Sequence, residues 1–371
     1  MALKLTNQIP EQKNNAVAIA AIDIGINNSP IEAKFYSLKG IALEQSDKQL
    51  AQQNYSHALK LKPTQFEALR QRLVYSTTNN DFVEAAERLN LLYRRHPDRW
   101  SEVSVLLPFI MADDAGYQKV SELFSNSARS SLNVVQELIR EESQHFQLAS
   151  KFLLDAVKST PIEESRTTSP HRAAINTFVN RLVAQKELNF SHSFFLQTLG
   201  KEEQKHAGYI FNGEFDLPVN HSIFDWRIRQ QAGVEIQFTG QQSPAESDSE
   251  NALNIRFLGS PVRFDNVRQL VHLPRTKNRL EIKYSTSNLR APKPLKLGLR
   301  CFPARGKQIT NIILVPTKGD TRILSESFDL TAVDCTLLEL FITNENKVET
   351  WQNRYSGSLN IKAINIIREG Y

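Results

Sequence analysis

The sequence predicts an α+β chain of two unlike domains, an all-α domain of paired helices followed by an all-β antiparallel sandwich of two sheets. Three observations carry this. Four stretches in the first half repeat one spacing of small and large apolar residues closed by a proline. From Gly233 onward the apolar residues recur at every second position, the period of a half-buried strand. Between these regions lies NGEFDLPVNHSIFDWRI, residues 212–228. Its Gly213, Pro218 and polar Asn220, His221 and Ser222 are breaker signals, while Phe215, Phe224 and Trp226 are large enough to anchor a new core. This stretch is read as the opening strand and first corner of the second domain. The expected division is a disordered N-terminus over 1–15, helical repeats over 16–207 and a β-sandwich over 208–371.

In the first half, Ala51, Tyr55, Ala58 and Pro63 stand at spacings of 4, 3 and 5. The same spacings recur in Ala85, Leu89, Leu92 and Pro97, in Ala18, Ile22, Gly25 and Pro30, and in Ala149, Leu153, Ala156 and Pro161. Val120, Phe124 and Ser127 keep the first two spacings without the proline. Pro30, Pro63 and Pro97 are 33 and 34 residues apart, and a closing proline stops each helix. The pairs Ser46-Asp47 and Asn80-Asp81 precede the second helix of their units as turn or N-cap residues. A polar break over 162–170 precedes a last helical pair, 172–185 and 190–204, expected as the cap of the array. The spacing and period resemble the tetratricopeptide repeat. That resemblance implies a helical solenoid whose groove binds a protein partner, with Tyr36 and Arg70 facing the groove by repeat phase. Packing of the array on its own second domain is the competing use of that surface.

In the second half, Val234, Ile236 and Phe238 alternate with Glu235 and Gln237. Leu280, Ile282 and Tyr284 do the same, as do Leu295, Leu297, Leu299 and Cys301. Further apolar runs over 253–258, 267–273, 309–315, 337–342 and 359–367 bring the expectation to about nine strands. Gly, Pro, Asn and Ser fill the connections, and such short strands argue a two-sheet sandwich. Asn-Gly-Glu-Phe-Asp at 212–216 followed by Phe224-Asp225-Trp226-Arg227-Ile228 resembles the start of galactose-binding-like jelly rolls, a fold shared by many carbohydrate-binding modules. Together with Phe257-Leu258-Gly259, Cys301, Cys335 and Ser356-Gly357, the chain is similar to a bacterial family of tetratricopeptide proteins linked with exopolysaccharide gene clusters. That resemblance implies a role in polysaccharide production or export in the periplasm or cell envelope, and no reaction. Without an export signal the expected compartment is the cytoplasm.

Composition bounds the remaining classes. At 40% hydrophobic and 23% charged residues the chain is ordinary for a globular protein. No apolar run reaches the roughly 18 residues that span a bilayer, so no membrane span is expected. The net charge of +5 concentrates in 263–307, where twelve basic residues face only Asp265 and Glu281. Such a segment attracts polyanions. No nucleic-acid motif accompanies it, and no nucleic-acid partner is expected. Cys301 and Cys335 fit either one bridge between strands or two buried thiols.

Sugar binding needs an aromatic platform with polar or charged groups at its edge. Trp351, Arg354, Tyr355, Tyr284 and Arg290 are the candidates. Arg290, Lys293, Lys296 and Arg305 would add charge for an acidic polysaccharide, against the alternative of a solvated basic face. Trp226, two residues from Phe224, reads as core rather than ligand. Glu214 and Asp216 are candidates for a structural Ca²⁺, against ordinary turn acids; no other cofactor is expected. Glu142/His145 and Glu203/His206 have the Glu-x-x-His spacing of metal sites in bundles, but their polar surroundings favour a solvated face. There is no Gly-rich phosphate loop, no Gly-x-Ser-x-Gly elbow and no zinc-spaced Cys/His cluster. The function expected is a non-catalytic adaptor. Its repeats would bind a protein and its sandwich a carbohydrate. The alternative is a protein-interaction scaffold with no glycan affinity.

Overall fold

The computed structural model describes residues 12–140, 143–159, 171–239, 251–303, 307–345 and 351–369, with side chains omitted at 12–15 and 143. The chain divides into two compact units, 1–163 and 164–371.

The first unit is helical: α1 (Gln12–Asn28), α2 (Ala33–Leu43), α3 (Lys48–Leu61), α4 (Phe66–Thr78), α5 (Phe82–Arg95), the short α6 (Trp100–Val103) and α7 (Leu107–Met111), then α8 (Asp114–Phe124), α9 (Ala128–Leu138) and α10 (Phe146–Ser159). From α1 to α5 each helix packs on the next. Ala51, Tyr55 and Ala58 are fully buried, as are Ala85, Leu89, Ala149 and Leu153. The recurring spacing therefore marks the inward stripe of α3, α5 and α10, as a helical period requires. In α1 the corresponding Ala18 is exposed. Gly40 lies under the Tyr55 ring, and a Cβ there would collide with it, so the small residue sets how closely α2 and α3 approach. Asp47 accepts from Leu50 N at 2.9 Å and Asp81 from Glu84 N at 3.1 Å, the caps expected from the turn pairs.

The second unit opens with the helical pair α11 (Arg172–Ala184) and α12 (Leu188–Gln197) and the single turn α13 (Lys201–Lys205). This pair was expected to cap the repeat array and instead belongs to the same compact unit as the strands. The reason is aromatic packing. Phe195 meets Phe211 and Phe224 at ring distances of 5.4 and 5.5 Å, and His192 stacks on His272 at 5.0 Å. Asn189 bonds His272 at 2.8 Å. The division in chain contacts consequently lies at 163/164, upstream of the 207/208 boundary read from the change of period.

Among the described residues ten strands follow: β1 (Arg227–Ile228), β2 (Val234–Thr239), β3 (Ala252–Pro261), β4 (Val267–His272), β5 (Lys277–Arg290), β6 (Leu295–Cys301), β7 (Gln308–Leu314), β8 (Arg322–Asp329), β9 (Leu337–Thr343) and β10 (Arg354–Arg368). They form two antiparallel five-stranded sheets, β1-β4-β9-β6-β7 and β2-β3-β10-β5-β8. The alternating apolar residues of both face a common core, the arrangement of a sandwich. The opening stretch is not a strand: only Arg227–Ile228 pairs, with β4. Asn212, Phe215 and His221 take left-handed backbone conformations, which interrupt extended structure. Edge strand β8 is absent from the sequence reading, because its outward residues are exposed and Ile323 sits on the solvent side at 59% exposure. Among the described residues no helix is long and apolar enough to cross a membrane.

Cys301, at the end of β6, is bonded to Cys335 in the β8–β9 connection, 34 residues away. Closing a loop of that length stabilises by about 3–4 kcal/mol in the chain-entropy view. The Cys301→Ser/Cys335→Ser double variant should therefore unfold at lower denaturant by roughly 2–4 kcal/mol, measured by urea titration.

Buried titrating groups near the opening stretch make opposed contributions. Burial lifts the Asp225 carboxyl to about 7 even though it accepts backbone N–H bonds from Asn220 and Trp226. Its contribution to stability is full below about pH 4 and is lost as pH rises through the folded value. Burial, with the charge of His272, lowers His192 to about 4, so its contribution is full above about 6.5 and is lost as pH falls. His171 and His272 are lowered by burial in the same sense. Asp225→Asn should make stability climb more steeply between about pH 4 and 7, and His192→Gln should make it climb less. Urea midpoints across that range check both slopes.

Candidate functional site

The chain enters β10 through a single helical turn, Trp351–Asn353. Asn353 O accepts from Val262 N at 3.2 Å. Asn344 ties the same place from the other side, donating to Val262 O at 2.8 Å and accepting from Phe264 N at 3.0 Å. On this pinned turn the Trp351 side chain projects outward and is 72% exposed. The Arg354 guanidinium lies 3.3 Å from its ring centroid. A cation covers one indole face of a largely exposed ring, a cation–π pair at a solvated site. Arg290, at the end of β5, is registered opposite Ser356 of β10, and Lys293 follows in the next turn. The sequence candidates Trp351, Arg354, Arg290 and Lys293 are thus brought to one end of the sheet.

Tyr355 and Tyr284 are not part of a platform. Both are fully buried. The Tyr355 hydroxyl donates to Lys293 O at 3.0 Å and accepts from Lys293 N at 3.3 Å. The Tyr284 hydroxyl donates to Val315 O and accepts from Val315 N, both at 3.0 Å. Each ring fills the core while its hydroxyl satisfies a backbone carbonyl and amide at the rim. A strand places alternate side chains on opposite faces, and both tyrosines fall on the inward one. Trp226 is core, as read, with its indole N–H donating to Asn212 O at 2.9 Å.

Glu214 and Asp216 border a groove of about 380 Å³ on the outer face of the second sheet, shared with Asn251, Glu281, Lys283 and Asn365. Asp216 accepts from Asn251 at 2.7 Å and meets His206 Nδ1 at 3.3 Å. Two nitrogen groups therefore already contact that carboxylate, one at each oxygen. Among the described residues no group of three or more His, Cys, Asp or Glu is arranged to hold a metal. A polar row crosses the same face through Gln237, Asn254, Asn360 and Ser285, which are opposite one another in register. In the sequence these polar residues alternate with core residues such as Ile236, Ile255, Leu359 and Tyr284, and that alternation is the one local sign of this face.

The Glu203/His206 pair does not converge. Glu203 accepts from Arg172 at 2.7 and 2.9 Å and from Gly200 N at 2.9 Å, while His206 turns to Asp216. Glu142 and Arg305 lie outside the described residues. Four of the twelve basic residues of the segment pair with three carboxylates: Arg268 and Arg300 with Glu339, Arg275 with Asp334, and Lys296 with Glu345. These carboxylates come from beyond the segment, which a local charge count does not register, while Arg268 also pairs with Asp265 inside it. In the helical unit, the Tyr36 hydroxyl donates to Pro30 O at 3.0 Å and its ring lies 4.3 Å from His57. Arg70 donates to Glu67 at 3.2 Å.

No protein-family model matches the chain, and no curated protein matches it. Solved structures do show likeness. A CBM4 structure is 11% identical with a TM-score of 0.33, covering 43% of this chain and 99% of that one. TmCBM61, solved with β-1,4-galactotriose, is 16% identical with a TM-score of 0.29 over 44% and 99% of the two chains. The carbohydrate binding module CBM6cm-2 from Cellvibrio mixtus lichenase 5A, solved with cellotriose, is 12% identical with a TM-score of 0.25 over 40% and 98%. At these levels none of them assigns a ligand to this chain.

Burial separates Trp226 sharply from Trp351. Trp351→Ala should change unfolding free energy by less than about 0.5 kcal/mol, whereas Trp226→Ala should cost about 3–5 kcal/mol. Urea denaturation of both variants measures the contrast.

Proposed function

We propose that this chain is a non-catalytic adaptor whose β-sandwich binds carbohydrate at the Trp351 end and whose helical unit holds a protein partner. The observation that supports the first half most is the exposed Trp351 with Arg354 on one face. The face of an exposed indole suits the C–H face of a pyranose, and charged groups at the edge give orientation. Arg354, Arg290 and Lys293 supply only positive charge there, so the reading favours an acidic polysaccharide. The Cys301–Cys335 bond fits an oxidising compartment such as the periplasm or cell envelope. The placing in exopolysaccharide production or export rests on the motif resemblance at 212–228 together with Phe257-Leu258-Gly259, Cys301, Cys335 and Ser356-Gly357. A structural Ca²⁺ at Glu214 and Asp216 remains a proposal of the same origin. The alternative, a protein-interaction scaffold with no glycan affinity, is favoured by the burial of Tyr284 and Tyr355, which removes two rings from the expected platform.

The full chain titrated against acidic and neutral bacterial polysaccharides should show saturable binding to an acidic member. That binding should weaken at least about tenfold in Trp351→Ala and fall as salt is raised. Absence of binding to every polysaccharide, or binding indifferent to Trp351, would leave the scaffold reading in place.

A further inference from the structure

Helix α3 presents an outer face that the helical core does not use. Its Ala51, Tyr55 and Ala58 point inward. On the outer face a groove of about 690 Å³ runs along α3 to Tyr75 of α4, with Lys48 at one end and Lys60 at the other. Gln52, Gln53 and His57 form the side between them, and none of the lining residues is a carboxylate. Two acids of the adjoining helices are already engaged: Asp47 caps α3 at Leu50 N, and Glu84 accepts from Arg72 at 2.7 Å and Arg88 at 3.2 Å. Arg72 reaches Gln52 at 3.4 Å and holds its guanidinium 5.4 Å from the Tyr75 ring. Tyr75 is 41% exposed, a large aromatic left at the groove wall. His57 is braced from behind by the Tyr36 ring.

We infer that this groove binds an extended acidic peptide of a partner protein. The inference refines the partner-binding role proposed above for the helical unit and moves it to the α3–α4 groove. Three features set the chemistry. The two lysines are twelve residues apart on one helix, about 18 Å at 1.5 Å per residue. An extended chain rising about 3.3 Å per residue covers that span in five to six residues, so acidic residues at that separation meet both cations. Glutamine amides offer donor and acceptor together, matching the alternating N–H and C=O groups of an extended backbone. Tyr75 supplies an apolar contact at the groove wall that a purely ionic site lacks.

The test is fluorescence anisotropy on the full chain with a fluorescein-labelled twelve-residue peptide rich in Glu and Asp. The same peptide with Gln and Asn in their place, and an acidic polysaccharide, serve as competitors. The acidic peptide should bind saturably at low salt, at least about tenfold tighter than its neutral counterpart. Lys48→Glu/Lys60→Glu should abolish that preference, and Lys48→Gln/Lys60→Gln should weaken it several-fold. Both lysines are exposed, and circular dichroism of the Gln variant verifies folding. Tyr75→Ala should weaken binding about threefold with the salt dependence unchanged. Equal binding of acidic and neutral peptides overturns the inference, as does no binding of the acidic peptide. Displacement by polysaccharide alone also overturns it in favour of a glycan. If binding survives both lysine variants and is lost in Arg70→Glu, the partner role stands and this groove is the wrong place.

Discussion

The β unit is organised around one hydrogen bond between an indole and a turn. Trp226 donates its Nε1–H to the carbonyl of Asn212, and Asn212 folds its own amide onto Leu217, accepting at 3.0 Å and donating at 2.8 Å. The neighbouring Gly213 accepts from Ile364 of β10 at 2.9 Å. A Cβ on Gly213 would strike the Ile364 carbonyl, so only glycine lets the turn seat on the sheet. Trp226 thereby fills the core while its one polar atom is satisfied, the condition for burying an indole. The same turn carries Phe211 and Phe224 to the helical pair α11–α12. Its local geometry thus fixes both the start of the sandwich and the helices that belong with it.

That constraint propagates to the candidate site. With the sandwich closed at the opening turn, β10 runs the length of its sheet between β3 and β5. The inward positions near its start go to Tyr355 and its partners. The two tyrosines that looked like sugar-binding rings are used instead to hold two chain reversals through their hydroxyls. Trp351, one helical turn before the strand begins, escapes the alternation and stays in solvent. An aromatic that is both exposed and fixed on a pinned turn is a different object from an aromatic on a strand face, because the first loses little conformational freedom when it meets a ligand.

Charge shows the same redistribution. The segment 263–307 is strongly basic in sequence, yet Arg268, Arg275, Lys296 and Arg300 find carboxylates from β9 and the connections flanking it. Arg300 also lies 4.3 Å from the Phe341 ring. Cations that face outward include Arg354 beside Trp351, Lys283 on the groove bordered by Glu214 and Asp216 and, in the helical unit, Lys48 and Lys60 flanking the α3 groove. Pairing that is long-range in sequence decides which charges remain available to a partner.

The sequence by itself determined the two classes of structure and most of their elements. Periods of 3.6 and of 2 come from which face of a helix or strand is buried, and that is written locally in residues such as Ala51, Tyr55 and Ala58 or Leu280, Ile282 and Tyr284. It also indicated Trp226 as core and Trp351 as exposed, since one sits in an apolar alternation and the other in a polar turn. Tertiary structure decided what local pattern does not encode: that the α11–α12 pair belongs with the strands, that β8 completes an edge, that Cys301 meets Cys335, that Tyr284 and Tyr355 face inward, and which basic residues are neutralised. Each of these depends on a partner tens of residues away, brought near only when the chain closes on itself.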